Sequence, residues 1–201
     1  MYAQLLIATS FVLASYQDYK ERTVTDLVWL PAVAGACYAI YASGNFLTLE
    51  LVKIGLVGGI GLAFAIYGAV GEADAIAMAL IASDPNPVSP ILPLIGAAVV
   101  AVGHIGYEFA RGNARGTRTI PMERFLREQK WIPKAIVSGG RRTEVDRDVN
   151  VAREEVAAKV SPDALVEVSY GVPTVAYLGA GYIGYLAFLI LFVPGTFASL
   201  P

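Results

Sequence analysis

The sequence predicts an all-α polytopic membrane protein, with six transmembrane helices and a small cytoplasmic α+β domain between helices 5 and 6. Three observations lead to this fold class. The 201 residues are 56% hydrophobic and 16% charged, whereas a soluble domain is usually about 25% charged. Apolar runs suited to membrane helices recur along the chain. The basic residues concentrate in one late segment, as is typical of a domain on the cytoplasmic side.

Six apolar runs predict the six helices, since a helix needs about 20 apolar residues to cross a bilayer. The first run lacks the basic start and the cleavage site of a signal peptide, so we interpret it as a retained membrane helix. The first, second and fourth runs are short, and the prolines of SDPNPVSP fix the end of the fourth. The runs are Tyr2–Tyr16, Leu27–Ala42, Leu49–Val70, Ala73–Ser83, Ile91–Ala110 and Val172–Val193.

The positions of lysine and arginine predict the orientation. With six crossings, loops one, three and five share a side, and that side holds fourteen of the 15 Lys and Arg residues. The positive-inside rule therefore places both termini outside and the late basic segment in the cytoplasm. The predicted domains are residues 1–111 with helices 1 to 5, residues 112–170 as the cytoplasmic domain, and residues 171–201 with helix 6 and a tail.

The cytoplasmic segment has alternating local patterns. TIPMERFLREQKWIPKAIV predicts a short amphipathic helix and then a strand, SGGRR predicts a turn, and VNVAREEVAAKVSPDALVEVSY predicts a helix and another strand. Its twelve basic and nine acidic residues make it mildly basic. A solvated domain beside the lipid bilayer explains this charge, and we expect no nucleic-acid partner.

Composition excludes several kinds of site. The only cysteine, Cys37, rules out an intramolecular disulfide framework and zinc-finger spacing, and we expect it to be a small buried residue. The only histidine, His104, rules out a multi-histidine metal site. We therefore expect no metal and no cofactor. Gly55 and Gly59 in GLVGGIG, and the glycines of LGAGYIG at 178–184, predict close helix contacts.

Two acids lie at the ends of predicted helices. Asp18 ends the first helix, and Asp74 opens the fourth helix directly after a very short third loop. Both therefore lie near the cytoplasmic boundary of the membrane. An acid inside a membrane costs about 2.5–3.5 kcal/mol on insertion scales, which makes it a functional hypothesis. Two carboxyls without a nucleophile or metal set nearby fit one chemistry, in which an ionised carboxylate activates water and a protonated one hydrogen-bonds the scissile carbonyl.

Helix capping is the structural alternative for some of these acids. Asp26 follows Thr25 at a helix start, where N-capping explains it without any function. Asp74 could cap the fourth helix in the same way. Asp18 sits at a helix C-terminus, where the helix dipole disfavours an anion, so capping does not explain it.

Around Asp18 and Asp74 the chain resembles the type IV prepilin peptidases, most closely the archaeal preflagellin (prearchaellin) peptidases, which are membrane aspartic proteases of the GxGD type. DYKERTVTD matches the first motif, and Gly71-Glu72-Ala73-Asp74 matches GxGD. The resemblance implies that Asp18 and Asp74 are catalytic, with Gly71, Glu72 and Ala73 supporting the motif. It also implies that class III signal peptides of preflagellins and type IV pilin-like precursors are cleaved at the cytoplasmic face, just before the hydrophobic segment. Alanine at position 73 replaces the second family glycine, and a positive φ there would be unfavourable.

Acidic residues near the pair are candidates for binding substrate. Substrates of this class carry a basic residue before the scissile bond, and Glu21, Asp26 or Glu72 could attract it. The alternative function is a non-enzymatic or proton-coupled membrane component of a pilus or archaellum assembly or transport system. A transporter would need ionisable residues near the midplane and two similar halves, and this sequence has neither. The natural substrate and the oligomeric state stay open.

Overall fold

The protein is mostly helical, with one small antiparallel sheet. The computed structural model describes residues 2–68, 70–86, 88–145, 156 and 164–193. Single turns of 3-10 helix precede the second and third helices, at Asp26–Trp29 and Gly44–Phe46. The helices are α1 (Tyr2–Glu21), α2 (Leu30–Ala42), α3 (Leu47–Ile66), α4 (Glu72–Ala82), α5 (Ile91–Ala110), α6 (Met122–Arg127) and α7 (Thr174–Phe192).

The chain forms two compact units, one of residues 1–19, 24–103 and 173–201, and the other of residues 20–23 and 104–172. In the first unit, α1, α2, α4, α5 and α7 contribute side chains to one apolar core. Its centre contains fully buried rings and aliphatic side chains, because these helices present their larger apolar residues to one another. They include Ile7, Phe11, Ile81 and Tyr182.

Glycines set the closest helix contacts in this unit. A Cβ atom at Gly58 would lie 3.1 Å from Ala79 Cβ, and one at Gly61 would lie 3.1 Å from Ala75 Cα, so α3 and α4 pack backbone against backbone. The prediction for Gly55 and Gly59 was wrong, since a Cβ at either position would meet nothing within 4 Å. The prediction for 178–184 is confirmed at two of its three glycines, which contact α1 and α5.

Three helices among the described residues are long and apolar enough to cross a membrane: Gly44–Ile66, which includes the 3-10 turn before α3, Ile91–Ala110 and Thr174–Phe192. The segment Asp26–Ala42 is a shorter apolar helix. With 11 residues, α4 spans about 16 Å at 1.5 Å per residue, which is half the hydrocarbon thickness of about 30 Å. The chain is therefore a membrane protein, and three of the six predicted spans meet this criterion.

Two details differ from the prediction. α1 continues to Glu21, so Asp18 lies in its last turn rather than at its end. Cys37 is exposed on α2 rather than buried.

The second unit contains a four-stranded antiparallel sheet with the strand order β1-β4-β2-β3. Its apolar core includes Phe125 of α6 and Trp131 of β2, both fully buried. The predicted turn at SGGRR is confirmed, with Gly139 and Gly140 at positive φ. Helix α6 followed by β2 and the late strand β4 are also confirmed, whereas the helix predicted before β4 lies outside the described residues apart from Val156, which is helical. The strands are β1 (Arg118–Pro121), β2 (Trp131–Ser138), β3 (Arg141–Glu144) and β4 (Leu165–Tyr170).

Charged groups surround the indole of Trp131 in this unit. Trp131 Nε1 donates to Glu128 Oε2 at 2.7 Å, and the Arg118 guanidinium lies 3.9 Å from the ring centroid. Arg124 Nε donates to Glu128 Oε1 at 3.0 Å. Partial burial raises the pKa of Glu128, but the hydrogen bonds from Trp131 and Arg124, together with the charge of Lys130, outweigh it and hold that pKa below its ordinary value of 4.5.

Candidate active site

Asp18 is a buried acid in the last turn of α1. Its side chain is 7% exposed, and its Oδ2 accepts a hydrogen bond from the backbone N–H of Ala176 at 2.9 Å. Ala176 lies in the first turn of α7, 158 residues further along the chain. The first N–H groups of a helix have no acceptor within the helix, so Asp18 supplies one from another part of the fold.

Asp74 occupies the first turn of α4 and is 9% exposed. Its Oδ2 accepts a hydrogen bond from the Gly71 N–H at 2.8 Å, while its own N–H donates to the Gly71 carbonyl at 3.1 Å. Asp74 is the N3 residue of α4, and its carboxyl bonds back to the N-cap N–H as in one half of a capping box; the other half is missing because Gly71 has no side chain. The sequence left open an N-cap role for Asp74, but the structure has Gly71 at the N-cap and Asp74 two residues into the helix, at N3. From there its hydrogen bond to the N-cap N–H holds the carboxyl beside the helix start.

The two carboxyls lie on neighbouring parts of the helical unit, close enough for their charges to interact. Both acids lie in the same compact unit, and the charge of Asp18 acts on the carboxyl of Asp74. Each carboxyl is less than a tenth exposed and accepts a backbone N–H. Two acids whose charges interact are less easily ionised together than either acid alone.

The residues between Gly71 and Asp74 show why alanine is accepted in the motif. Gly71 has φ −80° and ψ 164°, an extended conformation open to any residue. Ala73 is the second residue of α4 and packs partly buried against the core. Among the described non-glycine residues, only Arg22 has a positive φ. The replacement of glycine by Ala73 thus causes no backbone strain, and Glu72 beside it is exposed.

The candidate substrate-binding acids are on the surface. Glu21 is the last residue of α1 and is exposed, and Asp26 is the exposed first residue of a 3-10 helix. The expectation that Asp26 is an N-cap was wrong, since Thr25 holds the cap position. Thr25 makes no side-chain cap, and its N–H and hydroxyl donate instead to Gln17 Oε1 at 3.1 and 3.3 Å. Asp26 is therefore free of the structural role that the sequence favoured.

A buried acid in the loop after α4 was missed at the sequence level. Asp84, in the loop between α4 and α5, is fully buried and accepts hydrogen bonds from the Asn86 N–H at 2.8 Å, Tyr182 OH at 2.8 Å and Gln4 Nε2 at 3.4 Å. Lys53 Nζ donates to the carbonyl of Asp84 at 2.8 Å. The signal was an aspartate directly after an apolar run, but the sequence marks 83–90 only as a helix end. These contacts explain Asp84 as a structural acid that joins α1, α3 and α7 to the loop.

The described residues contain no group of three or more His, Cys, Asp and Glu side chains that could hold a metal ion.

Comparison with known proteins identifies a family. Residues 5–106, just over half of the 201-residue chain, match the sequence model of the type IV leader peptidase family. The matched range contains Asp18, Asp74 and the motifs around them. No curated protein matches the chain, and no solved structure does.

Proposed function

The chain belongs to the type IV leader peptidase family, and we propose that it is a membrane aspartic endopeptidase whose catalytic residues are Asp18 and Asp74. One observation carries the assignment of these two residues. They are buried acids on different helices of one unit, and the charge of one acts on the other. The other buried acids have side-chain partners of their own. Asp84 accepts hydrogen bonds from Gln4, Asn86 and Tyr182. Glu50 pairs with Lys53 at 3.0 Å, and Glu108 accepts a hydrogen bond from Asn113 at 2.6 Å.

The proposed mechanism needs one proton on the pair. The ionised carboxylate removes a proton from a water molecule as the water oxygen attacks the scissile carbonyl carbon. The protonated carboxyl donates a hydrogen bond to the carbonyl oxygen, where negative charge develops. Collapse of the tetrahedral intermediate re-forms the carbonyl and breaks the C–N bond. The proton that the first carboxylate took from water passes to the departing amine. Neither step uses a metal or a covalent intermediate.

Precursors with class III signal peptides, namely preflagellins and type IV pilin-like proteins, are the proposed substrates. Their cleavage site lies just before a hydrophobic segment, so it reaches the enzyme at the cytoplasmic membrane boundary. The exposed acids Glu21, Asp26 and Glu72 are suited to attract the basic residue that precedes the scissile bond, because opposite charges attract over several ångströms even in water.

The proposed topology has six crossings, both termini outside, and the segment 112–170 in the cytoplasm. Contacts within the helical unit support it. Gln4 at the start of α1 and Lys53 near the start of α3 both bond to the α4–α5 loop. Asp18 near the end of α1 bonds instead to the start of α7. These contacts support an arrangement in which the N-terminus lies with loops two and four at one end of the helical unit and Asp18 lies at the other, as six alternating crossings require.

The test is cleavage of purified precursors. Membranes containing the protein are incubated with an archaellin, an adhesion pilin and a sugar-binding protein precursor, and products are measured by mass. We expect at least one precursor to be shortened by a cut just before its hydrophobic segment. Membranes without the protein, and a precursor with an ordinary secretory signal peptide, are the controls. The proposal is wrong if no class III precursor is cut, or if cleavage requires a metal that a chelator removes.

A further inference from the structure

The N-terminal turn of α7 contacts the carboxylate of Asp18. α7 begins at Thr174, and its N-cap residue, Pro173, makes no side-chain cap. The third residue, Ala176, has one of the N–H groups that find no acceptor inside the helix. This N–H donates to Asp18 Oδ2 at 2.9 Å. Asp18, which we propose as catalytic, thus also accepts a hydrogen bond from the first turn of a helix that is distant in the sequence.

The contact with α7 affects the stability of the negative charge on Asp18. A carboxylate in the last turn of its own helix is near the negative end of the helix dipole, which disfavours the charge. The N-terminal turn of α7 carries partial positive charge and donates an N–H, both of which favour the ionised form. The start of α7 therefore stabilises the negative charge on Asp18 that the end of α1 disfavours.

A glycine one turn further along α7 permits this approach. A Cβ atom at Gly179 would collide with Ser15 Oγ and lie 3.2 Å from the Phe11 carbonyl oxygen. Ser15 is one turn before Asp18 on α1, just as Gly179 is one turn after Ala176 on α7. The two helices run in opposite directions here, so the close contact at 15 and 179 fixes the separation at 18 and 176.

We propose that the first turn of α7 is part of the active site. The N–H of Ala176 holds Asp18 ionised and oriented for water activation, and Gly179 is a positioning residue that lets α7 come close enough to do so. This inference rests on the proposed peptidase function for its catalytic meaning. Its structural part, the effect of α7 on the charge of Asp18, stands without it.

Ala176→Pro is the direct test, because proline removes the N–H and is tolerated in the first turn of a helix. Thr174→Pro, at the first position of the same helix, keeps the Ala176 N–H and controls for backbone effects. The titration of Asp18 is followed by NMR on protein labelled with ¹³C in the aspartate carboxyls. We expect the Asp18 midpoint to rise by about one pH unit in Ala176→Pro, a tenfold loss of preference for the charged form, and to change much less in Thr174→Pro.

Other charges near Asp18 are the same in both proline variants. They include Asp74 on α4, whose carboxyl interacts with Asp18. They also include Lys20 and Glu21, which follow Asp18 in the sequence at the end of α1. Tyr177 is the neighbouring titratable residue on α7. A shift that appears in Ala176→Pro alone is therefore due to the lost N–H.

Cleavage kinetics give a second measurement. In Ala176→Pro the rate at saturating precursor should fall by about tenfold to a hundredfold, the range expected when a charged group loses a hydrogen bond, and the acid limb of the pH profile should move to higher pH. Gly179→Ala should also slow cleavage and move the acid limb to higher pH. Combining it with Ser15→Ala should recover part of the lost activity, because the collision with Ser15 Oγ is removed and the Phe11 carbonyl oxygen at 3.2 Å is the close contact that remains. Gly184→Ala, where a Cβ meets nothing within 4 Å, is the matched control.

The outcomes separate this inference from the proposed function. Wild-type protein that cuts no precursor contradicts the peptidase function, while the NMR titration still reports on the α7 contact. An Asp18 midpoint that is unchanged in Ala176→Pro overturns the inference, as does a Gly179→Ala variant with the wild-type rate and pH profile. Loss of activity in Gly179→Ala that Ser15→Ala fails to relieve also overturns the positioning role of Gly179.

Discussion

Replacing Tyr182 with phenylalanine should lower the stability of the helical unit and leave cleavage intact. The Tyr182 hydroxyl donates to Asp84 Oδ2 at 2.8 Å, and both side chains are fully buried. A hydrogen bond to a charged group contributes about 1.5–3 kcal/mol, and losing it inside the protein leaves the carboxylate short of one donor. The ring itself stays, so its packing against Phe11 at 5.2 Å is retained. We expect a loss of about 2 kcal/mol, which corresponds to a fall of about 4–8 °C in the unfolding midpoint of a protein of this size.

Thermal unfolding in detergent, followed by near-ultraviolet circular dichroism, measures the effect. Tyr41→Phe is the matched control, because it removes the hydroxyl of a tyrosine that is 88% exposed. Precursor cleavage at a temperature well below both midpoints should be equal in the two variants. An unchanged midpoint in Tyr182→Phe, or an equal fall in Tyr41→Phe, would show that the Asp84 cluster contributes little to stability.

Three further predictions concern charge and topology. The ionised Glu128 side chain should stabilise the fold above about pH 4.5, and this stabilisation should be lost as the pH falls through its lowered folded pKa. The difference in unfolding midpoint between wild type and Glu128→Gln should therefore shrink toward pH 3. A difference that stays constant with pH would contradict this. Amide replacement of Glu21, Asp26 and Glu72 together should slow cleavage of precursors with a basic residue before the scissile bond, whereas equal effects on precursors lacking that residue would exclude charge attraction. In a Cys37→Ala background, Ser138→Cys should react with a water-soluble thiol reagent only from the cytoplasmic side. Val88→Cys should react only from outside. Labelling of both cysteines from the same side would contradict the six-crossing topology.

The sequence predicts those parts of the fold that depend on local patterns. Apolar runs located every long helix to within a few residues, and Pro and Gly punctuation located the end of α4 and the β2–β3 turn. It also placed Asp18 and Asp74 beside helix ends, because a charge at the edge of an apolar run is visible without any structure.

Contacts between distant segments could not be predicted in this way. Nothing near Asp18 in the sequence indicates that its partner is the backbone of Ala176, since a backbone N–H has no signature in the amino-acid letters. Asp84 was missed for the same reason, because its donors come from α1, its own loop and α7. The choice between Gly55 and Gly58 as the contact with α4 depends on the rotation of α3 about its axis, which a glycine repeat alone does not determine.

Cleavage by variants of the buried acids tests the catalytic pair most directly. Asp18→Asn, Asp74→Asn and the double variant are compared with wild type and with Asp84→Asn, a buried acid at the other end of the helical unit that serves as the control. Product is quantified by mass, with membrane insertion checked for each protein. We predict that each single variant at 18 or 74 loses cleavage by a factor of at least about a thousand, that the double variant is no worse because the two residues act as a unit, and that Asp84→Asn still cleaves. An Asp18→Asn or Asp74→Asn variant that cleaves precursor at the wild-type rate would contradict the catalytic pair.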